Sequence, residues 1–237
     1  MLNMHGNKIT WLGHSAFRVT SSAGKVILID PFLSGNPLCP EAEKKQPRVD
    51  AILLSHAHGD HLGDTLELSM QHKPAIVAIY EFAGWLESKG AANVVGMSKG
   101  GTTQVAGIEV TMTHAFHSSS VSDGGKQLYM GEPAGLILHL PGGLRLYHAG
   151  DTCVFGDMKL IAEIYEPHIA CLPIGDFYTM GPREAAHAIR LLGVKHVLPM
   201  HYGTFPPLTG RPSHVRELTK DVAGLEIHEL KPGDSLA

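Results

Sequence analysis

The chain has 237 residues, 43% of them hydrophobic, and a formal net charge of −4. That is enough apolar material for a large core, while the acidic balance leaves no basic surface to neutralise a phosphate backbone, so nucleic acid is not expected as a partner. No apolar run approaches the ~20 residues of a membrane span, the N-terminus MLNMHGNKITWLG lacks a signal-peptide stretch, and Cys39, Cys153 and Cys171 show no CxxC spacing; a soluble, cytoplasmic protein without a disulfide framework or cysteine zinc site is the expectation.

KITWLG, AFRVT and KVILID read as three short strands of an opening meander, the last two joined by SSAG. DAILLS follows, a nearly all-apolar strand expected to be buried on both faces, as in a sheet covered by helices. A helix is predicted near 64–72, a strand at PAIVAIY, and a second helix at EFAGWLESKG, closed by Gly90. Between about 102 and 149 strands return as TTQVAGIEVTMTH, AGLILHL and LRLYHAG, with a polar insertion at 118–133. The alternation then resumes: a helix near 157–165, the strand HIACLPI, the helix PREAAHAIRLLG opened by Pro182, the strand KHVLPM, a helix near 212–221 and the strand LEIHEL. Strands then helices, twice, with no linker between, predicts one α/β domain over 1–237 whose two β-rich halves stack as sheets with helices outside.

Sixteen histidines are the compositional anomaly, and the apolar AILL runs straight into SHAHGDHLGD at 55–64. Turn chemistry has no call for histidine at 56, 58 and 61. His56 and His58 are two apart at a strand end, which in extended backbone puts both rings on one side, suited to one ion; Asp60 and His61 offer a second pair of ligands. Imidazole with carboxylate suits zinc, manganese, iron or nickel rather than calcium or magnesium. Further ligands are expected at strand ends on the same edge: His114 or His117 after EVTMTH, Asp151 after LRLYHAG, and His201 after KHVLPM. Asp151 alone reads equally as a helix cap and His201 alone as an ordinary loop histidine; their shared placement sets them apart.

Outside this set, His14 in LGHSAF reads as either a pocket contact or a buried structural histidine, and Asp30 as a turn residue before Pro31. Asp176, Phe177 and Tyr178 are candidates for a pocket wall, and Tyr202 for an oxyanion partner or a packing residue. His139, His148, His187, His196 and His228 are read as surface or core side chains, and Cys153 as a small buried hydrophobe. The run Ser118–Ser120 has no GxSxG elbow and is read as a loop rather than a nucleophile.

HxHxDH after an apolar strand, a later His, GDT after another strand and a last His after a fourth resemble the metallo-β-lactamase superfamily. WLGHSAF, IDPF, YHAGDT, YTMGP and PMHYGTFP further resemble its small metal-dependent hydrolases, related to the L-ascorbate-6-phosphate lactonase group. The resemblance implies an αββα sandwich, two mixed β-sheets flanked by helices. It also implies two divalent metal ions, zinc first, with manganese, iron or nickel as alternatives. His56, His58 and His117 would take one ion, and Asp60, His61 and His201 the other. Asp151 would bridge them. AFHS matches the setting of the family's third ligand, which selects His117 over His114.

The implied chemistry is hydrolysis of a small lactone, ester or phosphoester by a hydroxide held between ions about 3.5–4 Å apart. Asp60 would orient the second ion and accept a proton, and His14 would act from the pocket. The intact HAHGDH favours hydrolysis over the diiron oxidoreductases of the superfamily. The alternatives are a metal-binding sensor or binding module without turnover, and an RNA-processing phosphodiesterase, whose extra arm and basic surface this chain lacks. A homo-oligomer is compatible with the chain.

Overall fold

The computed structural model describes residues 2–237, and Met1 lies outside them. In the first half, β1 (Lys8–Trp11), β2 (Phe17–Thr20) and β3 (Val26–Ile29) form the antiparallel meander. The one-turn helix α1 (Glu41–Lys44) leads to β4 (Ala51–Leu53), which pairs parallel to β3. The short α2 (Gly59–Leu62) and α3 (Thr65–His72) then precede β5 (Ala75–Ile79), and α4 (Tyr80–Ser88) precedes β6 (Val94–Met97), both strands continuing the sheet in parallel. The parallel part is the part whose strands read as unbroken apolar runs, because both of its faces are covered.

The second half repeats the plan. Strands β7 (Thr102–Val105) and β8 (Ile108–His114) are antiparallel, β9 (Ser120–Asp123) and β10 (Lys126–Tyr129) form a separate two-stranded ribbon, and β11 (Ala134–His139) and β12 (Arg145–His148) extend β8 antiparallel. Beyond α5 (Met158–Tyr165) and α6 (Pro182–Leu192), β13 (Ile169–Pro173) and β14 (His196–Met200) add in parallel. After α7 (Pro212–Leu218), β15 (Glu226–Ile227) pairs parallel to β14, and β16 (Ser235–Leu236) returns to the first sheet against β1. Each sheet therefore has seven strands and mixed direction.

Side-chain alternation assembles the layers. In β11, Leu136 and Leu138 enter the core shared by the two sheets, while Ile137 enters the core beneath the helices. Helix α6 buries Ala185, Ala188, Ile189 and Leu192, the i, i+3, i+4, i+7 stripe of a helix lying on a sheet. The result is the expected αββα sandwich. Among the described residues, no helix is long and apolar enough to cross a membrane.

Three features depart from the sequence reading. The polar insertion at 118–133 is a hairpin, turned by Gly124 and Gly125 at φ +56° and +76°, as a two-residue turn with positive φ at both centres requires. LEIHEL yields a strand of only two residues, and a further strand, β16, follows it in the other sheet. Helix α2 forms inside the histidine cluster itself.

The Arg18 guanidinium ties β2 to α1, its Nη2 donating to Glu43 Oε1 at 3.2 Å and its Nη1 to Gln46 Oε1 at 3.2 Å. The hydrogen bond from Arg18 holds the Glu43 carboxyl below its ordinary value. A depressed folded-state pKa gives stabilisation that is present above the unfolded carboxylate value of about 4.3 and is lost as pH falls through the lower folded value. Glu43→Gln is therefore expected to lower Tm by about 1–3 °C at pH 7. The gap to the unsubstituted protein should narrow below pH 4, which thermal unfolding at the two pH values measures.

Candidate metal centre

Strands β3, β4, β8, β12, β13 and β14 run in one direction within their sheets, and the loops beyond their C-terminal ends converge at one edge of the sandwich, the usual place for a site in such sheets. Asp30, just past β3, is fully buried at φ +46°. Its Oδ1 accepts the Ser55 amide at 2.8 Å, and its Oδ2 accepts the Ser55 hydroxyl at 2.5 Å and His61 Nδ1 at 2.8 Å. The His61 proton is thereby fixed on Nδ1, which leaves Nε2 as a lone pair facing the cluster. Ser55, its own proton committed to Asp30, accepts His56 Nδ1 at 3.0 Å, so His56 also presents Nε2. The sequence reading left Asp30 as a turn residue and passed over Ser55. The available signal was a carboxylate directly after one apolar strand, KVILI, beside the serine that ends its neighbour, AILLS.

Backbone ties place the other side chains. Phe116 N donates to Thr152 Oγ1 at 3.0 Å and Cys153 N to Phe116 O at 3.2 Å, which locks the His117 loop to the Asp151 loop. Gly150 turns the chain into Asp151 at φ +63°, where a Cβ would lie 2.6 Å from Ala134 O. His201 N donates to His14 O at 3.0 Å, joining the first loop to the last. His14 and His201 both hold left-handed backbone, φ +56° and +55°, a strain that clusters at functional sites.

These ties bring all seven expected ligands together. Asp151 Oδ2 lies 3.1 Å from His201 Nε2, 3.2 Å from His61 Nε2, 3.6 Å from His117 Nε2 and 3.9 Å from His56 Nε2. His56 Nε2 is 3.0 Å from His58 Nδ1, and the donor atoms of His56, His58 and His117 all lie within 4.8 Å of one another. The same holds for His14, Asp60, His61 and His201. His61 Nε2, Asp151 Oδ1 and His201 Nδ1 are buried without a hydrogen-bond partner, although buried polar atoms are ordinarily paired. Imidazole nitrogens turned inward around a carboxylate with one unpaired oxygen fit divalent cations of the imidazole-preferring class.

The local field has the same sign. Burial opposes a charge on Asp151, yet His201 and His61 outweigh it and hold the carboxyl well below its ordinary value. Burial likewise opposes a charge on His61, and Asp151 and Asp30 on either side overcome it and raise the imidazole, so Nε2 favours a positive partner, a proton or the cation that would displace it. His56, with burial dominant and His61 beside it, is pushed well down and stays neutral, the form that ligates. Asp30→Ala should therefore lower affinity for the ions about 10–100-fold by releasing His61 and Ser55. Chelator competition measures it, and unchanged affinity would deny Asp30 this orienting part.

His114 stays outside. Its Nδ1 is 3.0 Å from Lys99 Nζ and its ring meets Phe116 edge-on, with centroids 4.3 Å apart. His14, expected to act from the pocket, is instead fully buried behind Asp60, with Nε2 2.9 Å from Asp60 Oδ2 and Nδ1 2.9 Å from Thr204 Oγ1. Burial pushes its pKa to about 4, so the neutral ring donates from Nε2 to Asp60 and accepts from Thr204. Tyr202 stacks on Trp11 at 5.3 Å, which makes it a packing residue. Cys153 is exposed rather than buried. His148 is a core histidine, with Nε2 3.0 Å from Ser15 O.

A cavity of about 650 Å³ opens over the cluster, lined by His58, Asp60, His117, Asp151 and His201 together with Ser118, Tyr178 and Phe205. Residues 25–202 match the family described as beta-lactamase superfamily domain. The chain belongs to the metallo-β-lactamase superfamily. Within the superfamily it is 51% identical, over 99% of both chains, to a UPF0173 metal-dependent hydrolase of Koribacter versatilis, and 47% identical to one of Methanosarcina barkeri over 98% of this chain and 99% of that one. Among solved structures of the superfamily's fold, a metallo hydrolase of Ignicoccus hospitalis matches with a TM-score of 0.86 and 34% identity over 97% of both chains.

Proposed function

We propose that this superfamily member is a dinuclear metal-dependent hydrolase acting on a small uncharged lactone or carboxylic ester. The convergence of four imidazoles on Asp151, with His58 beside His56 and Asp60 beside His201, at the floor of a cavity carries this reading. His56, His58 and His117 would hold one ion, Asp60, His61 and His201 the second, and Asp151 both, with zinc the first choice for so histidine-rich a set. The bound ions would supply a hydroxide nucleophile at neutral pH and polarise the substrate's carbonyl oxygen.

The chain's own groups orient that chemistry. Burial pushes the Asp60 carboxyl up, but the His14 hydrogen bond and the nearby His61 outweigh it, so Asp60 is ionised and held in one orientation. His14 is on this reading a positioning residue. No Lys or Arg lines the cavity, and Tyr178 and Phe205 give it an aromatic wall, with Phe177 exposed beside them. A phosphoester would enter without a counter-charge from the protein, whereas a neutral carbonyl compound with an apolar part matches the lining. A cavity of this size over the donors also favours turnover of a substrate over a purely metal-sensing part.

The test uses protein loaded with zinc or manganese, assayed with neutral aryl esters and simple lactones against an aryl phosphodiester. Chelator-sensitive cleavage of the neutral substrates, at least about tenfold above the phosphodiester, is expected. Preference for the phosphodiester, or turnover that survives exhaustive chelation, would overturn the reading. In the same assay His14→Ala is expected to keep both ions and lose about 10–100-fold in kcat with little change in KM. Turnover unchanged by the substitution would deny His14 this positioning part.

A further inference from the structure

A second group of ligating side chains lies at the other end of the second sheet. His196 is the first residue of β14, and the strand runs to Met200, one residue short of His201. The two places are separated by the length of a five-residue strand, about 16 Å. His196 and Glu226 are register partners across β14 and β15, and the ladder continues as His228 N donates to Val197 O at 2.8 Å. Glu226 and His228, two apart in extended chain, fall on the same side. Val197 and Ile227 face the helices and Leu198 the other sheet, so the side shared by His196, Glu226 and His228 is the inner one, at the rim of the sandwich.

His196 Nδ1 is 3.1 Å from His228 Nε2 and 3.7 Å from Glu226 Oε2, and the three donor atoms lie within 4.8 Å of one another. Two nitrogens bound tetrahedrally at 2.0–2.1 Å from one ion are about 3.3–3.4 Å apart, close to the spacing already present between the rings. The histidine side chain of β14 is largely covered, 13% exposed, while the Glu226 side chain is 58% exposed, so one flank is closed by protein and one is open to water.

We propose that His196, Glu226 and His228 form a second, peripheral site for one divalent transition ion of the zinc and nickel class. Two imidazoles and a carboxylate supply three ligands, and water completes the shell. The ion fastens the two-residue β15 to β14, the same sheet strand whose far end leads into His201, and so acts as a clip on an edge strand that has little ladder of its own.

Zinc content after equilibrium dialysis tests this, with folding checked by circular dichroism. The unsubstituted protein should bind one zinc per chain more than His196→Gln and more than His228→Gln. The same difference should persist in an Asp151→Ala background, which separates this site from the cluster above β4 and β14. Zinc should also raise Tm further in Asp151→Ala than in Asp151→Ala with His228→Gln. Should either glutamine variant misfold, Glu226→Gln, altered at an exposed side chain, should show the weakened zinc binding instead. Equal zinc content in the folded variants and the unsubstituted protein would reduce the cluster to a histidine–histidine hydrogen bond and overturn the proposal.

Discussion

Asp151→Ala is expected to lower kcat/KM about a thousandfold or more, the scale of losing a preorganised charge at the reacting centre, and to leave fewer than two ions bound per chain. The reason lies in one oxygen. Asp151 Oδ2 has imidazole nitrogens of His201, His61, His117 and His56 at 3.1, 3.2, 3.6 and 3.9 Å, so this one oxygen faces members of both proposed ligand sets. Removing it takes away the negative charge that would offset two cations at once, and the orientation of the remaining rings cannot replace that charge. Metal analysis on folded variant protein decides the matter. Two ions per chain at saturation, with activity lost, would leave Asp151 a part in the reaction but not the bridge.

His117→Ala and His114→Ala form the second pair with large and opposite expectations. His114 closes β8 and His117 lies three positions further on, yet only His117 reaches the cluster. His117 Nε2 faces Asp151, and its ring lies 5.1 Å from those of His56 and His58, whereas His114 is engaged with Lys99 and Phe116. His117→Ala should lose one ion and nearly all activity. His114→Ala should keep both ions, with stability changed by no more than about 1 kcal/mol, the usual range for a partly exposed side chain away from buried networks. Ion content and turnover measured side by side check both. Metal lost with His114 and retained without His117 would reverse the ligand assignment.

The cluster was legible because its chemistry is written locally. Three histidines and an aspartate within six residues, placed after an all-apolar strand, have no use in a turn, and the same local logic marked Asp151 and His201 at the ends of later apolar strands. The structure brings these together with His117 and leaves His114 against Lys99 and Phe116. Helices α3 to α6 were equally readable, since an amphipathic stripe and a first-turn proline such as Pro182 act within one or two turns.

What did not show was whatever depends on partners far away in the chain. The strands β9 and β10 are mostly polar and pair only with each other, so no apolar alternation betrayed them. Two residues of β16 count as a strand solely because β1, more than 220 positions earlier, offers an open edge.

Composition, hydrophobic period and the HAHGDH run thus determined the class of fold, the edge where the site would lie and its ligand types, because apolar pattern and ligand chemistry are properties of neighbouring residues. Tertiary structure alone decided that Asp30 and Ser55 set the tautomers of His61 and His56, that His14 stands behind Asp60 and not in the cavity wall, and that no lysine or arginine reaches the cavity. Each of these depends on distance and burial between segments 25 to 190 residues apart, and a buried hydrogen bond or an empty patch of charge exists only once those segments have been packed against one another.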